Sequence, residues 1–134
     1  MNWIRCYREY VDEELSDLLY KLGWRIYTEM QYVDEKLVSE SLENCALLEL
    51  SEKIVKYVPD LFQALNYLYK NYPSSYIDLL KWQNRYDYAV VGYKDVADKV
   101  ELNLKSLGES LLRALKLLCK LILDYDKKDN LQGN

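Results

Sequence analysis

One apolar stripe near the C-terminus constrains the fold of this chain more than any other feature. Its members are Val96, Val100, Leu104, Leu107, Leu111, Leu115, Leu118 and Ile122. Spacings of four and three residues follow the period of an α-helix, and no proline interrupts the stretch. The stripe therefore predicts a long amphipathic C-terminal helix, with Leu107 and Leu111 among its buried side chains.

The whole chain contains only two prolines and four glycines, which also favours helices joined by short links in the rest of the sequence. Gly23 is a typical residue just past a helix end, and Pro73 must end any helix before it. Five helices are predicted, over residues 4–22, 34–57, 59–72, 75–90 and 95–126. Residues 24–33 could continue the first helix or form an extended link. A strand over 86–91 is a weaker alternative, since an isolated strand has no pairing partner.

These elements predict an all-α fold, an antiparallel bundle of four or five helices. Residues 1–126 would form a single helical domain, and residues 127–134 a polar tail that frays. The last helix is apolar over much of its circumference, which is typical of a central helix or of one shared with a partner. The additional apolar side chains are Leu112, Leu117, Leu121 and Leu123.

The residue inventory excludes several kinds of catalysis. The chain has no histidine, so it lacks the commonest general base near neutral pH and the commonest metal ligand. Its glycines form no phosphate-binding motif, and its three cysteines are too far apart for a zinc site. We expect buried free thiols at Cys6, Cys45 and Cys119. The sequence predicts a protein that is not an enzyme and holds no cofactor or metal. A carboxylate-metal enzyme, with Mg²⁺ bound by carboxylate oxygens alone, is the last-ranked alternative.

Four acidic residues share one face of the predicted first helix. They are Glu9, Asp12, Glu13 and Asp17, at positions i, i+3, i+4 and i+8. Such a face is usually no more than a solvated helix surface. The sharper alternative is an acidic patch that steers a basic partner towards the protein.

Tyrosine is unusually abundant, with 14 residues against a single phenylalanine. Tyrosine covers the edges of cores, and it is also enriched in protein interfaces. Interleaved lysines leave the stacking of single-stranded bases as a third interpretation. The candidate partner-binding residues are Tyr67, Tyr69, Tyr72, Tyr76, Trp82, Arg85, Tyr86, Tyr88 and Tyr93.

The predicted function is a non-enzymatic protein–protein interaction module: an adaptor, an assembly subunit or an inhibitor that acts by binding. Self-association as a homodimer is its simplest form. The alternative is a small helical nucleic-acid-binding subunit that uses the Tyr/Lys/Arg-rich segment, although a net charge of −4 does not favour it. The first residues are too densely charged for a signal peptide, and no apolar run could span a membrane, so we expect a cytoplasmic protein.

Overall fold

The computed structural model describes residues 9–132 and shows a mixed fold of helices and antiparallel sheets. The predicted all-α bundle is therefore wrong. The elements in chain order are α1 Glu13–Lys21, β1 Gln31–Val33, β2 Lys36–Val38, α2 Leu42–Leu50, β3 Val55–Tyr57, α3 Leu61–Asn71, β4 Ser75–Trp82, β5 Arg85–Tyr93, β6 Val96–Leu104 and α4 Leu107–Gln132.

The larger sheet is an antiparallel meander in the order β4-β5-β6. In its register Ala89 on the central strand pairs with Leu79 on one side and with Val100 on the other. Helix α4 packs against all three strands. The inward-facing side chains that join the core are Ile77, Leu79, Tyr86, Ala89, Val91, Tyr93, Val100 and Leu102. This layer meets the buried stripe of α4, which consists of Leu111, Leu115, Leu118 and Ile122.

The smaller sheet has the order β2-β1-β3 and lies between two helices. Lys56 and Tyr57 are neighbours on β3, so their side chains point to opposite faces. The Lys56 ammonium pairs with Asp17 of α1 at 2.7 Å, and the Tyr57 hydroxyl donates to Glu49 of α2 at 2.8 Å. The sheet is therefore covered by α1 on one face and by α2 on the other.

Helix α1 begins and ends at local sequence signals. The Asp12 carboxylate caps the helix by accepting the Leu15 N–H at 2.9 Å. At the other end Gly23 has a φ of +99°, and the Trp24 N–H donates to the Leu19 carbonyl at 2.9 Å. This is a Schellman motif, so the predicted helix end at Gly23 is confirmed. The predicted start of this helix at residue 4 is wrong, because residues 9–12 are not helical. Residues 4–8, with Cys6 among them, lie outside the described residues.

Helix α3 is also confirmed, within the limits that the two prolines set. Asp60 and Gln63 form a capping box, in which each side chain accepts the backbone N–H of the other residue. Pro59 lies one residue before this cap rather than inside the first turn. The helix ends at Asn71, before Pro73.

The predicted fourth helix, over residues 75–90, is wrong, and so is the predicted start of the last helix at Asp95. Val96, Val100 and Leu104 lie on strand β6, and α4 begins only at Leu107. Positions four residues apart share a face at both the helical and the strand period, so this part of the stripe fits either structure. The last helix is capped by Ser106, whose hydroxyl accepts the Glu109 N–H at 3.2 Å.

The hairpins lacked the usual sequence signal because their turns contain no glycine. Asp34 and Glu35 take φ values of +51° and +67°, Gln83 takes +55° and Lys94 takes +56°. A two-residue hairpin with left-handed positions normally carries Asn-Gly or Asp-Gly. The strand alternative over 86–91 is therefore correct, since β5 has partners on both sides.

The predicted helix over 34–57 is wrong as well, because this segment divides into β2, α2 and β3. Residues 24–30 are not helical and lead into β1, which decides the question left open for that stretch. At the C-terminus α4 extends to Gln132 and so includes residues 127–132 of the predicted polar tail. Of the two side chains predicted to be buried on the last helix, Leu111 is buried but Leu107 is 36% exposed.

A glycine substitution distinguishes the hairpin from the predicted helix at Gln83. At a φ of +55° glycine removes a backbone cost of about 1 kcal/mol, partly offset by its greater freedom in the unfolded chain. Gln83→Gly should therefore leave stability unchanged or raise it slightly in urea unfolding. In a helix interior the same change would cost about 1 kcal/mol. Asp78→Gly, within strand β4, is the matched control and should destabilise.

Truncation at Leu118 tests the contact between α4 and the core. Leu118 is fully buried, so Leu118→Ala should lower the free energy of unfolding by about 2–5 kcal/mol. Leu107→Ala, on the exposed first turn of the same helix, should cost less than about 1 kcal/mol. Chemical denaturation followed by circular dichroism measures both. Equal losses for the two variants would contradict this packing.

Candidate functional site

The larger sheet has one face that α4 does not cover, which we call the outer face. Ile77 and Leu79 point into the core, so the alternate side chains of β4 must point away from it. Directly paired residues on neighbouring strands share a face, which extends the assignment to β5 and β6. The outer face carries Tyr76, Asp78, Leu80, Trp82, Arg85, Tyr88, Val90, Lys99 and Glu101.

Aromatic and apolar side chains dominate the β4 part of the outer face. Trp82 is 69% exposed, and Tyr76 and Leu80 are exposed as well. The Tyr76 ring packs over Gly92 of the neighbouring strand, where an added Cβ atom would overlap the ring. Gly92 thus provides the space in which this ring packs. Such a concentration of rings on one open surface is typical of a binding surface.

The charges on the outer face are mixed in sign. The Lys99 ammonium lies 3.9 Å from the centroid of the Tyr88 ring, a close cation–π contact. The Arg85 guanidinium donates to the Asn103 side-chain oxygen at 2.8 Å. Asp78 and Glu101 are exposed on the same face. The surface therefore carries aromatic rings on β4 and β5, no large excess of either charge, and two cations that already have partners.

Three of the predicted partner-binding tyrosines instead hold the fold together. The hydroxyls of Tyr67 and Tyr72 both donate to the Leu22 carbonyl, each at 3.1 Å, and so tie the end of α1 to α3. Tyr93 packs edge-to-face on Tyr72 and on Tyr125, with ring centroids 5.9 Å and 5.3 Å apart. Burial raises the pKa of Tyr72 to about 12.

Two further tyrosines of the predicted set also lie away from the outer face. The Tyr69 hydroxyl accepts the Ile77 N–H at 3.2 Å, which places α3 against the edge of β4. Tyr86 packs on the core side of the sheet. The structure thus brings together Tyr76, Trp82, Arg85 and Tyr88, and it separates them from the other five candidates.

Two of the four carboxylates in the predicted acidic steering patch form ion pairs within the chain. Lys116 of α4 pairs with Asp12, and Lys56 and Lys21 pair with Asp17 at 2.7 Å and 3.1 Å. The hydrogen bond from Lys56 lowers the pKa of Asp17.

The other two acids of that patch are arranged differently. Glu13 is exposed in the first turn of α1 and forms no ion pair with any described residue. The Glu9 carboxylate lies beside Gly108, at the start of α4. Two of the four carboxylates are therefore neutralised by nearby lysines.

A second apolar surface lies on α2. Leu42, Leu47 and Leu50 are 60%, 61% and 81% exposed, whereas Cys45 is buried. We call this surface the α2 face. Its sequence signal was present, because apolar residues surround this short helix on all sides and only one side can meet the sheet.

The structure adds little that is typical of a catalytic or metal site. Among residues 9–132 no group of three or more cysteine or carboxylate side chains is arranged to hold a metal ion. Cys45 and Cys119 are free and buried, as predicted, and burial raises the pKa of Cys119 to about 12. Such a thiol is not activated. Within the same residues no helix is both long and apolar enough to cross a bilayer.

Comparison of the chain with protein-family models, with curated proteins and with solved structures finds no match.

The lowered pKa of Asp17 predicts a pH-dependent contribution to stability. The ion pair stabilises the fold above the ordinary carboxyl pKa of 3.8, and the stabilisation is lost as the pH falls through the lower folded-state value. Asp17→Asn should cost under about 1 kcal/mol at pH 7, because the pair is partly exposed. Thermal unfolding should show the two proteins converging below pH 4. Asp78→Asn, which removes no ion pair among the described residues, should change little at either pH.

Proposed function

We propose that this protein binds another protein through the outer face of its larger sheet. The observation that carries the proposal is the exposure of Trp82, Tyr76 and Leu80 together on a sheet face that α4 leaves open. A protein of this kind acts as an adaptor, an assembly subunit or an inhibitor, and its activity is binding rather than catalysis.

The side chains on the outer face are the types that anchor protein interfaces. Tryptophan and tyrosine contribute most of the binding energy in many complexes, especially at the centre of the contact. Burying the exposed part of Trp82 would remove on the order of 100 Å² of largely apolar surface from water, worth about 2–3 kcal/mol. Tyr76 is already held against β5, so little side-chain entropy is lost when a partner covers its ring.

The charges favour a protein over a nucleic acid. Asp78 and Glu101 share the outer face with Lys99 and Arg85, and the whole chain has a net charge of −4. A nucleic-acid surface needs an excess of cations towards the phosphates. Mixed charges beside exposed aromatic rings are instead typical of protein interfaces, where the charges determine orientation and specificity.

Single-stranded nucleic acid remains the second candidate, for one specific reason. Tyr76, Trp82 and Tyr88 lie on one open sheet face beside Lys99, and bases stack on aromatic rings presented in this way. Each stacked base would contribute about 1–3 kcal/mol. Binding of this kind would depend on Lys99 and would weaken steeply with salt.

The α2 face offers a further apolar contact. Leu42, Leu47 and Leu50 stay exposed although α2 packs on a sheet. Helix α2 packs on the smaller sheet, so the α2 face is a separate surface from the outer face. It therefore serves as an internal comparison in the test of the proposal.

Removal of the anchors should weaken partner binding without unfolding the protein. Trp82→Ser combined with Tyr88→Ala should reduce capture of the native partner, measured by quantitative affinity purification and cross-linking, by at least about tenfold. Leu47→Ser on the α2 face is the matched apolar control and should retain capture. Sedimentation velocity of the purified protein tests whether that partner is a second copy. Capture lost equally in both variants, or unchanged in the first, would contradict the proposal.

Fluorescence anisotropy with single-stranded RNA and DNA separates the two candidates. The protein-binding proposal expects no tight complex with either oligonucleotide at physiological salt. Tight binding that falls steeply with salt and is abolished by Lys99→Gln would establish the second candidate instead.

A further inference from the structure

A cavity lies between helix α3 and the segment that follows α1, on a different part of the molecule from the outer face. Its volume is about 440 Å³, which is within the range of small-molecule sites. One wall consists of Trp24, Ile26 and Tyr67, and the other of polar side chains from α3. We call it the α3 cavity.

The apolar wall of the α3 cavity is rigid. Trp24 and Tyr67 pack edge-to-face, with ring centroids 4.9 Å apart and planes at 88°. Tyr67 is further held by its hydrogen bond to the Leu22 carbonyl. The buried Trp24 indole N–H has no acceptor among the described residues. Ile26 is exposed and completes an apolar surface that can receive a flat ring.

The polar wall presents donors, and it comes from one stripe of α3. Gln63, Asn66, Tyr67, Lys70 and Asn71 follow the i, i+3, i+4, i+7, i+8 spacing that places side chains on one helix face. The Gln63 oxygen already accepts the Asp60 N–H at 2.9 Å, which leaves its amide nitrogen as the free group. Asn66 and Lys70 form no hydrogen bond or ion pair with any described residue, so both can serve a ligand.

The electrostatics of the α3 cavity favour an anion. Among the described residues Lys70 is the only charged one that lines it, and none of these residues brings a carboxylate to it. Outside this lining, the Arg25 guanidinium is fixed by hydrogen bonds to the carbonyls of Tyr20 and Trp24, at 2.7 Å and 2.8 Å. Burial raises the pKa of Tyr67, and the charge of Arg25 lowers it. This cation is therefore within electrostatic reach of Tyr67, which lines the cavity.

We propose that the α3 cavity binds a small planar carboxylic acid in its ionised form. The ring of the acid packs against Trp24, Tyr67 and Ile26, and its carboxylate accepts hydrogen bonds from Lys70 and the Asn66 amide. A flat apolar body with one anionic end is the chemistry that these two walls jointly recognise. The site is independent of the outer face and does not rest on the proposed protein partner.

The test is an NMR titration of the ¹⁵N-labelled protein with indole-3-acetate and, separately, with its neutral analogue indole-3-acetamide. The acetate should shift the Trp24 indole resonance and the side-chain amide resonances of Gln63 and Asn66. It should bind at least about fivefold more tightly than the amide, because only the acetate carries the charge that Lys70 receives.

Two variants isolate that charge. Lys70→Gln should abolish the preference for the acetate, while the affinity for the amide stays the same. Asn66→Asp should lower the affinity for the acetate, because the new carboxylate repels it. Lys36→Gln, which removes an equal charge from the surface of β2, is the control and should not change either affinity. Three results would overturn the proposal: no binding of either probe at millimolar concentration, shifts that map outside the α3 cavity, or equal effects of Lys70→Gln and Lys36→Gln.

Discussion

The packing of helix α4 on the inner face of strands β4–β6 is the contact on which the rest of the structure depends. Leu115, Leu118 and Ile122 are completely buried, and they meet a sheet whose central strand contributes Ala89 and Val91. One long helix can cover only one side of a three-stranded sheet, and helices α1 and α3 pack against that same helix. The outer face therefore stays open, and the exposure of Trp82 follows from the layer arrangement.

The smaller sheet depends on polar contacts to a greater extent. The Gln31 side chain is fully buried, and its amide donates to the Thr28 and Glu40 carbonyls while its oxygen accepts the Glu40 N–H. A buried amide that is satisfied in this way fixes the path of the chain on both sides of the β1–β2 hairpin. Helix α1 lies on one face of the small sheet and α2 on the other, and apolar side chains remain exposed on α2 and, at Leu37, on β2.

Three surfaces of the protein differ in the ligand that each can recognise. The outer face combines aromatic rings with balanced charge, which suits a protein partner. The α2 face is aliphatic around Leu47 and Leu50, so it offers apolar surface for burial but no hydrogen-bonding groups at these two side chains. The α3 cavity pairs a rigid aromatic wall with Lys70 and unpaired amides, which suits a small anion. Because the surfaces lie on different elements, variants of one can be interpreted without disturbing the others.

Local signals in the sequence determined α1, α3 and the buried part of α4, since caps and helix-specific spacings act between residues at most four apart. The step of three from Leu115 to Leu118 fits only a helix, whereas the steps of four through Val96, Val100 and Leu104 fit a strand equally well. Strands need partners elsewhere in the chain, and here their turns lack glycine, so only the tertiary structure revealed the sheets. The sequence also identified Tyr76, Trp82, Arg85 and Tyr88 as candidates. It could not separate them from Tyr67, Tyr72 and Tyr93, because the packing of α3 against the end of α1, and of α4 against the sheet, decides which rings hold the fold together.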